Sequence, residues 1–187
     1  MSQTRVLALV GSLRAGSVNR QLAETAVKVA PEGVEVTVYE GLADVPFYNE
    51  DIDAGEVAAS VEALRAAANE ADALLLVTPE YNGTIPAVLK NAIDWISRPY
   101  GAGAVKDKPV AVISASPSGN AAQWAHEDTR KAAKIAGGAV LEDVSISIGG
   151  TIDKFGDKHP SENAEVAAQV AAVVAGLAAA AGELVNA

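Results

Sequence analysis

Five short apolar segments alternate with five longer segments of helical character along the chain. The apolar segments are rich in valine, leucine and isoleucine and mostly lack polar alternation, which is typical of strands buried on both faces. Strict strand-helix alternation predicts a parallel sheet covered by helices on both sides. We place the strands at residues 5–10, 34–39, 73–78, 109–114 and 139–147. We place the helices at residues 18–30, 56–69, 86–97, 120–136 and 161–184.

This order of elements favours a three-layer α/β sandwich of the flavodoxin-like type, with a five-stranded parallel sheet in the order 2-1-3-4-5. In that order the winding reverses between strands 1 and 3, and ligands bind beside the carboxyl ends of these strands. Neither an internal repeat nor a linker of distinct composition interrupts the 187 residues. We therefore expect residues 1–187 to form one flavodoxin-like domain with its site at that crevice.

Composition narrows the chemistry that this chain can perform. The absence of cysteine excludes disulfides and thiolate chemistry, and the presence of only two histidines argues against a metal site or a Ser-His-Asp triad. A formal net charge of -10 argues against nucleic acid and anionic membranes as partners. The apolar part of the C-terminal segment, residues 170–181, is shorter than the roughly 20 residues that cross a bilayer. No targeting segment is visible, so we expect a cytoplasmic protein.

Residues 11–20, between the first strand and the first helix, combine glycine, serine, asparagine and arginine. The N–H groups where a loop enters a helix lack helical partners, and the helix dipole favours an anion there. Ser12, Arg14, Ser17 and Asn19 add hydroxyls, a guanidinium and an amide that can bind phosphate. The segment matches neither the Walker loop nor the G-x-G-x-x-G fingerprint. From these residues alone, a phosphate loop and an ordinary turn capped by Ser17 are both open.

A second polar turn follows the third strand, where residues 79–86 read Pro-Glu-Tyr-Asn-Gly-Thr-Ile-Pro. Asn82-Gly83 is a strong turn signal, and Pro86 suits the first turn of the next helix. Such a turn exposes backbone N–H groups at the carboxyl end of strand 3, beside the loop after strand 1. Together the two loops favour one ligand, with a phosphate on the first and a flat polar ring on the second. The alternative is a tight turn whose neighbours serve the core.

These loops resemble those of the NADPH-dependent FMN reductases, a family that includes bacterial quinone, chromate and azo-dye reductases. The matching residues are Gly11-Ser12-Leu13-Arg14 with Ser17 and Asn19, then Pro79-Glu80-Tyr81-Asn82 continuing through residues 89–95, and the loop at residues 114–119. The order of the elements is similar along essentially the full length.

The resemblance implies FMN as the cofactor and NADPH, or NADH, as the electron donor. It implies a phosphate held by the first loop, a flavin ring lined by the second, and further contacts from the loop after strand 4. The implied cofactor-binding residues are Ser12, Arg14, Ser17, Val18, Asn19, Pro79, Glu80, Tyr81, Asn82, Ser116 and Gly119. No side chain is implied to be catalytic and no metal is implied, because the flavin carries the chemistry.

The resemblance also implies a reaction and a partner. A nicotinamide passes hydride to the flavin and leaves, and a small-molecule acceptor such as a quinone, free flavin or azo compound then takes its place, in a ping-pong cycle. Family members usually form homodimers or homotetramers. By that analogy residues 95–100 reach the partner, unless Trp95 and Tyr100 have ordinary core or surface roles.

One stretch departs from the family pattern. Where family loops after strand 4 commonly carry a glycine pair, this chain has Ala121-Ala122. Alanine adopts positive backbone angles at a higher cost than glycine does, so we expect this loop to be shaped differently. Trp124 and His126 then border the site; alternatively, and with more weight, Trp124 packs on a helix face and His126 lies at the surface.

Two other functions are compatible with the fold. A flavodoxin-like electron carrier would bind the same cofactor without catalysing a reaction, and a flavin-free domain would bind another phosphorylated ligand. Arg14 and the motif at residues 79–82 favour the reductase over both.

Overall fold

Residues 3–185 are described by the computed structural model, and within them five strands form one parallel sheet in the order β2-β1-β3-β4-β5. The strands are β1 (Thr4–Val10), β2 (Val34–Val38), β3 (Ala73–Thr78), β4 (Pro109–Ala115) and β5 (Ala139–Ile148). This order and direction confirm the predicted flavodoxin-like sandwich. Val10 of β1 lies opposite Val77 of β3, so the carboxyl ends of these neighbouring strands meet where the winding reverses.

Seven α-helices lie within the described residues. They are α1 (Val18–Val29), α2 (Glu50–Asp53), α3 (Ala59–Glu70), α4 (Ala87–Ile96), α5 (Gln123–Ile135), α6 (Thr151–Phe155) and α7 (Ala164–Val185). The short helices α2 and α6 were not expected, and α3 and α5 each begin three residues later than the sequence indicated. The late start of α5 follows from Ala121 and Ala122, which precede it in a left-handed conformation that no α-helix can include.

The sheet is buried on both faces. Successive residues of β3 point to opposite sides, so that Leu75 packs in the apolar cluster beneath α1 and α7, whereas Leu74 and Leu76 pack beneath α3 and α4. Leu9 of β1 and Leu64 of α3 belong to the second cluster. Burial of both faces explains why these strands read as continuous apolar runs.

The long helix α7 is apolar along most of its length. By length and composition alone, residues Ala164–Leu184 could cross a membrane. In the fold, Val166, Val170, Val174 and Leu177 are buried in the cluster shared with α1 and the sheet. Small residues, mostly alanine, occupy much of the outer side. One side of the helix therefore packs in the core.

Candidate cofactor-binding site

The loop after β1 approaches the loop after β3 closely. The N–H of Gly11 donates to the carbonyl of Val77 over 2.8 Å. A Cβ at Gly11 would lie 3.2 Å from side-chain carbons of both Pro79 and Pro86, which is tight for any residue with a side chain. Glycine at position 11 thus lets the two loops pack together, as the sequence predicted for a shared ligand site.

The entrance to α1 presents unused polar groups. Ser17 occupies the N-cap position with extended backbone, but its hydroxyl makes no capping hydrogen bond. The first turn of α1 contains no acidic residue, and the N–H groups of Val18 and Asn19 precede any helical acceptor. Of the two alternatives for this loop, the absence of a Ser17 capping bond favours the anion site over the self-capped turn.

Arg14 lies in the same loop with its side chain exposed. Its carbonyl accepts from the N–H of Ser17 over 3.0 Å, which closes a tight turn around Gly16. Within residues 3–185 its guanidinium forms no ion pair. A free guanidinium beside a helix N-terminus without carboxylates is a local positive site in a chain of net charge -10.

Asn19 has a structural partner that the sequence did not reveal. Its Nδ2 donates to the carbonyl of Ala115, at the end of β4, over 3.0 Å. Its Oδ1 is buried without a hydrogen-bond partner in the described part of the chain. Asn19 therefore ties the start of α1 to β4, and one of its amide hydrogens is committed to that tie.

The loop after β3 is a two-residue hairpin turn. Tyr81 and Thr84 exchange backbone hydrogen bonds of 3.2 Å in each direction, around Asn82 and Gly83. Both central residues have positive φ, 52° and 75°, which Asn and Gly adopt readily. The Tyr81 side chain is 51% exposed, and its hydroxyl lies 3.5 Å from the Ser12 hydroxyl of the neighbouring loop. The turn predicted from Asn82-Gly83 is confirmed.

The side chain of Glu80 caps a helix. Its Oε2 accepts from the N–H groups of Trp124 and Ala125, over 3.0 and 3.2 Å, in the first turn of α5. A carboxylate is stabilised at a helix N-terminus by these donors and by the helix dipole. The Glu80 side chain thus fixes α5 against the β3 loop, leaving its backbone as the part that can face a ligand.

Trp124 belongs to the site region, which the sequence offered only as the weaker alternative. Its indole ring lies against the β3 turn, 3.4 Å from the place where a Cβ of Gly83 would be, and 59% of the residue is exposed. An aromatic residue in the first turn of the helix after β4 was the available sequence signal. Its proximity to Gly83 depends on the tertiary fold.

The loop after β4 is held at both ends. The N–H of Ser116 donates to Ile148 of β5, and the hydroxyls of Ser116 and Ser118 lie 2.8 Å apart. Gly119 faces open space. Ala121 and Ala122 take the left-handed conformation, with φ of 56° and 58°. For a residue with a Cβ, this conformation costs about 1–2 kcal/mol.

A buried polar network lies beneath that loop. The Ser114 hydroxyl donates to the carbonyl of Ala121 over 3.0 Å, and its oxygen lies 2.9 Å from the Ser147 hydroxyl. His126 places Nδ1 3.1 Å from Ser114 and 3.2 Å from Ser147. Ser147 also donates to Oε1 of Gln123 over 3.1 Å. These bonds connect the ends of β4 and β5 to the start of α5.

His126 is buried, so the favoured expectation that it lies at the surface is wrong. Burial and, to a lesser extent, the nearby Arg130 together lower the pKa of its imidazole to about 4, against the opposing effect of Glu127. The ring is therefore neutral at pH 7 and available for hydrogen bonding. His126 lies on one helical face with the buried residues Ala125, Thr129 and Ala133, and the sequence signal for this buried face was weak because it lacks large apolar side chains.

The polar groups present fit a phosphorylated ring compound such as FMN. The β1 loop offers two serine hydroxyls, the Arg14 guanidinium and the first N–H groups of α1, all suited to a phosphate monoester. The buried Oδ1 of Asn19, which has no hydrogen-bond partner among residues 3–185, adds an acceptor to this region. Tyr81 and Trp124 flank the adjacent β3 turn. Among the described residues, no cluster of His, Asp or Glu could hold a metal ion.

The fold and this crevice define a flavodoxin-like protein with polar loops at the neighbouring carboxyl ends of β1 and β3. The profile of one family, "NADPH-dependent FMN reductase", matches residues 4–153. The chain belongs to this family, which confirms the predicted family, the FMN cofactor and the reduced nicotinamide donor.

Individual proteins that are similar to this chain carry names consistent with this family. A quinone reductase from Pseudomonas putida is 37% identical over 158 residues, covering 84% of each chain. Another, from P. putida strain KT2440, is 46% identical over 118 residues, covering 63% of each. The structure of FerB, a flavoenzyme NAD(P)H:(acceptor) oxidoreductase from Paracoccus denitrificans, superposes with a TM-score of 0.85 at 30% identity, covering 96% of this chain and 98% of that one. With several of the curated relatives, such as the Escherichia coli K12 quinone reductase, the match spans only about half of the relative's length, here 54%.

Proposed function

We propose that this protein is an FMN-containing oxidoreductase that takes electrons from NADPH, or NADH, and passes them to a small-molecule acceptor of the quinone class. The observation that carries the proposal is the junction of the β1 and β3 loops at Gly11, which brings a phosphate cradle beside a turn flanked by aromatic residues. The names of the relatives support a quinone as acceptor. Free flavin and azo compounds are the other acceptors to be compared.

The phosphate of FMN would bind in the β1 loop. Ser12 and Ser17 would donate their hydroxyls, and Arg14 would supply a charged, forked donor. The N–H groups of Val18 and Asn19 would complete the cradle at the positive end of α1. This assignment uses groups whose hydrogen-bonding capacity the protein leaves largely unused, since Ser17 makes no cap and Arg14 no ion pair within residues 3–185.

The isoalloxazine ring would lie against the β3 turn. Pro79, Glu80, Tyr81 and Asn82 would line one edge, chiefly through their backbone, while Ser116 and Gly119 would approach from the β4 loop. Bound FMN would accept a hydride from the nicotinamide and deliver two electrons to the acceptor. The chain itself binds and orients the cofactor and controls access to it, in one domain spanning residues 1–187.

We also propose that two copies of the chain form a homodimer through the face between α4 and α5, either alone or as half of a homotetramer. A cleft of about 720 Å³ runs along this face, away from most of the cofactor loops. Tyr100 and Ile135 line it and are 89% and 77% exposed. Contiguous exposed apolar patches commonly mark a protein interface, and these two side chains line the same cleft. Sedimentation equilibrium of Ile135→Lys should show a shift to monomer relative to the wild type; an unchanged mass would exclude this face.

The partners and location follow from the chemistry. We propose that the protein acts in the cytoplasm, where NAD(P)H is available, and a net charge of -10 disfavours nucleic acid and anionic membrane surfaces as partners. Cell fractionation with a specific antibody would test the location directly.

The experiment that tests the function is an absorbance spectrum of the purified protein, before and after anaerobic addition of NADPH. Flavin bands that bleach with NADPH support the reductase, and steady-state rates with quinone, free flavin and an azo dye then rank the acceptors. Flavin bands that persist with both NADPH and NADH would identify an electron carrier instead. A colourless protein that takes up no added FMN would overturn the proposal.

A further inference from the structure

Ser114 supports the backbone of the β4 loop from inside the protein. Its hydroxyl donates to the carbonyl of Ala121 over 3.0 Å, and the side chain is fully buried at the end of β4. Ala121 and Ala122 are the two residues of the loop with left-handed backbone. The hydrogen bond therefore acts on the part of the loop whose conformation is intrinsically unfavourable for alanine.

His126 completes this support. The Ser114 hydroxyl has one hydrogen but two acceptors within reach, the Ala121 carbonyl and Oγ of Ser147. A neutral imidazole that donates from Nδ1 to Ser147, over 3.2 Å, satisfies that oxygen and leaves the Ser114 hydrogen for Ala121. Ser147 can then donate to Gln123, over 3.1 Å. In this arrangement each hydrogen of the network has one acceptor.

The supported turn fixes the residues that precede it. The N–H of Ala121 donates to the carbonyl of Ser118 over 3.2 Å, and the N–H of Gly150 donates to the same carbonyl over 3.3 Å. The carbonyl of Ser116 accepts from Thr151. Residues 116–119 are thus held both by the Ala121 turn behind them and by residues 148–151, and this stretch contains Ser116 and Gly119, which are assigned to approach the flavin.

We propose that Ser114 and His126 are positioning residues, which hold the left-handed turn at Ala121-Ala122 and thereby keep residues 116–119 in the conformation that binds FMN. This inference rests on the proposed function. A hydrogen-bonded buried network is directional, so it selects one loop conformation where apolar packing alone would permit several. In this chain the network substitutes for the conformational freedom that a glycine pair would supply.

The test is a double-mutant cycle measured as the dissociation constant of FMN, by titrating apoprotein and following the loss of flavin fluorescence. Ser114→Ala in the wild-type background should weaken binding by about ten-fold, since it frees a strained turn. In a background carrying Ala121→Gly and Ala122→Gly, the same change should cost about two-fold or less, because glycine adopts the turn without support. Equal losses in both backgrounds, or no loss in either, would overturn the inference.

The matched control is Thr129→Val, which removes a different buried hydroxyl, on α5, that donates to the carbonyl of Ala125 over 2.6 Å. It should change the stability but not the affinity for FMN; an affinity loss like that of Ser114→Ala would point to general destabilisation and overturn the inference. His126→Leu should reproduce Ser114→Ala, and His126→Gln, which keeps a donor, should restore part of the affinity. Wild-type protein that binds no FMN would overturn the proposed function itself. If the wild type binds FMN and Ser114→Ala binds it with the same dissociation constant, only the positioning role is overturned.

Discussion

The β1 loop and the β4 loop face the same crevice but distribute their polar groups in opposite ways. In the β1 loop, the Arg14 guanidinium forms no ion pair within residues 3–185 and the Ser17 hydroxyl makes no cap. In the β4 loop, the polar groups are satisfied from within, through Ser114, Ser147 and His126. Within residues 3–185 the first loop leaves these donors unused, whereas the second uses its donors on itself.

This difference indicates how the two loops contribute to one site. Free donors at a helix N-terminus provide affinity for an anion, and this affinity tolerates some change in backbone shape. An internally bonded loop provides little direct affinity, but it fixes the geometry of what it presents. We therefore expect changes in the β1 loop to act on cofactor binding and changes beneath the β4 loop to act first on stability and shape.

The largest expected effect is a loss of stability at acid pH, through His126 in the network beneath the β4 loop. The pKa of His126 is lowered to about 4 by burial, and then by Arg130, against the opposing influence of Glu127. An imidazole in the unfolded chain has a pKa of about 6.5, so the unfolded state binds the proton more tightly. The contribution to stability is complete above pH 6.5 and is lost as the pH falls toward 4, by up to about 3 kcal/mol.

Urea unfolding of the wild type and His126→Gln at several pH values measures this loss. The free energy of unfolding of the wild type should fall more steeply between pH 6.5 and 4 than that of the variant, since only the wild type has the imidazole to protonate. If the free energies of unfolding of the two proteins fall in parallel, protonation of His126 does not destabilise the fold, and the predicted role of the buried network in stability is wrong.

The next effect concerns the free donor of the β1 loop. Arg14→Ala should weaken FMN binding by about 1.5–3 kcal/mol, the range for a hydrogen bond to a charged group, with little change in stability. Arg20→Ala is the matched control, because the Arg20 guanidinium is already bonded to Glu24 and Glu40. Fluorescence titration of the apoprotein gives both affinities. Similar losses in the two variants would mean that net charge, rather than the cradle, governs binding.

A smaller effect tests the strain in the β4 loop. Ala121→Gly should raise the free energy of unfolding by about 1 kcal/mol, because glycine adopts positive φ without the Cβ penalty. Ala132→Gly, inside α5 at ordinary helical angles, should lower it by a similar amount. Thermal or urea unfolding compares the two. If both substitutions destabilise the protein, the left-handed turn is not a source of strain.

The smallest effect concerns the contact between the two cofactor loops. The hydroxyls of Tyr81 and Ser12 lie 3.5 Å apart, at the limit of a hydrogen bond. Tyr81→Phe should therefore change the affinity for FMN by less than about 0.5 kcal/mol. Tyr81→Ala, which removes the ring, should alter the visible spectrum of bound flavin and the turnover more than the stability. A large effect of Tyr81→Phe would show that the hydroxyl itself binds the cofactor.

Much of the fold was readable from the sequence. Apolar runs, turns that contain glycine and helical periodicity are local patterns. Their alternation predicted the sheet order that the structure confirms. The turn at Asn82-Gly83 followed from residue types that favour positive φ. Ser12, Arg14 and Ser17 could be proposed as phosphate ligands from the sequence, because the entry of a polar loop into a helix favours an anion site; this assignment stays a prediction.

The internal connections of the site could not be predicted in the same way. Asn19 bonds to Ala115, which is 96 positions away, and Glu80 caps α5 across 44 positions. The burial of His126 depends on Ser114 and Ser147 from two different strands. The sequence by itself determined which segments become strands, turns and donors, because these follow from neighbouring residues. Only the tertiary structure decided which of those donors are used internally and which remain free, because that depends on groups brought together by packing.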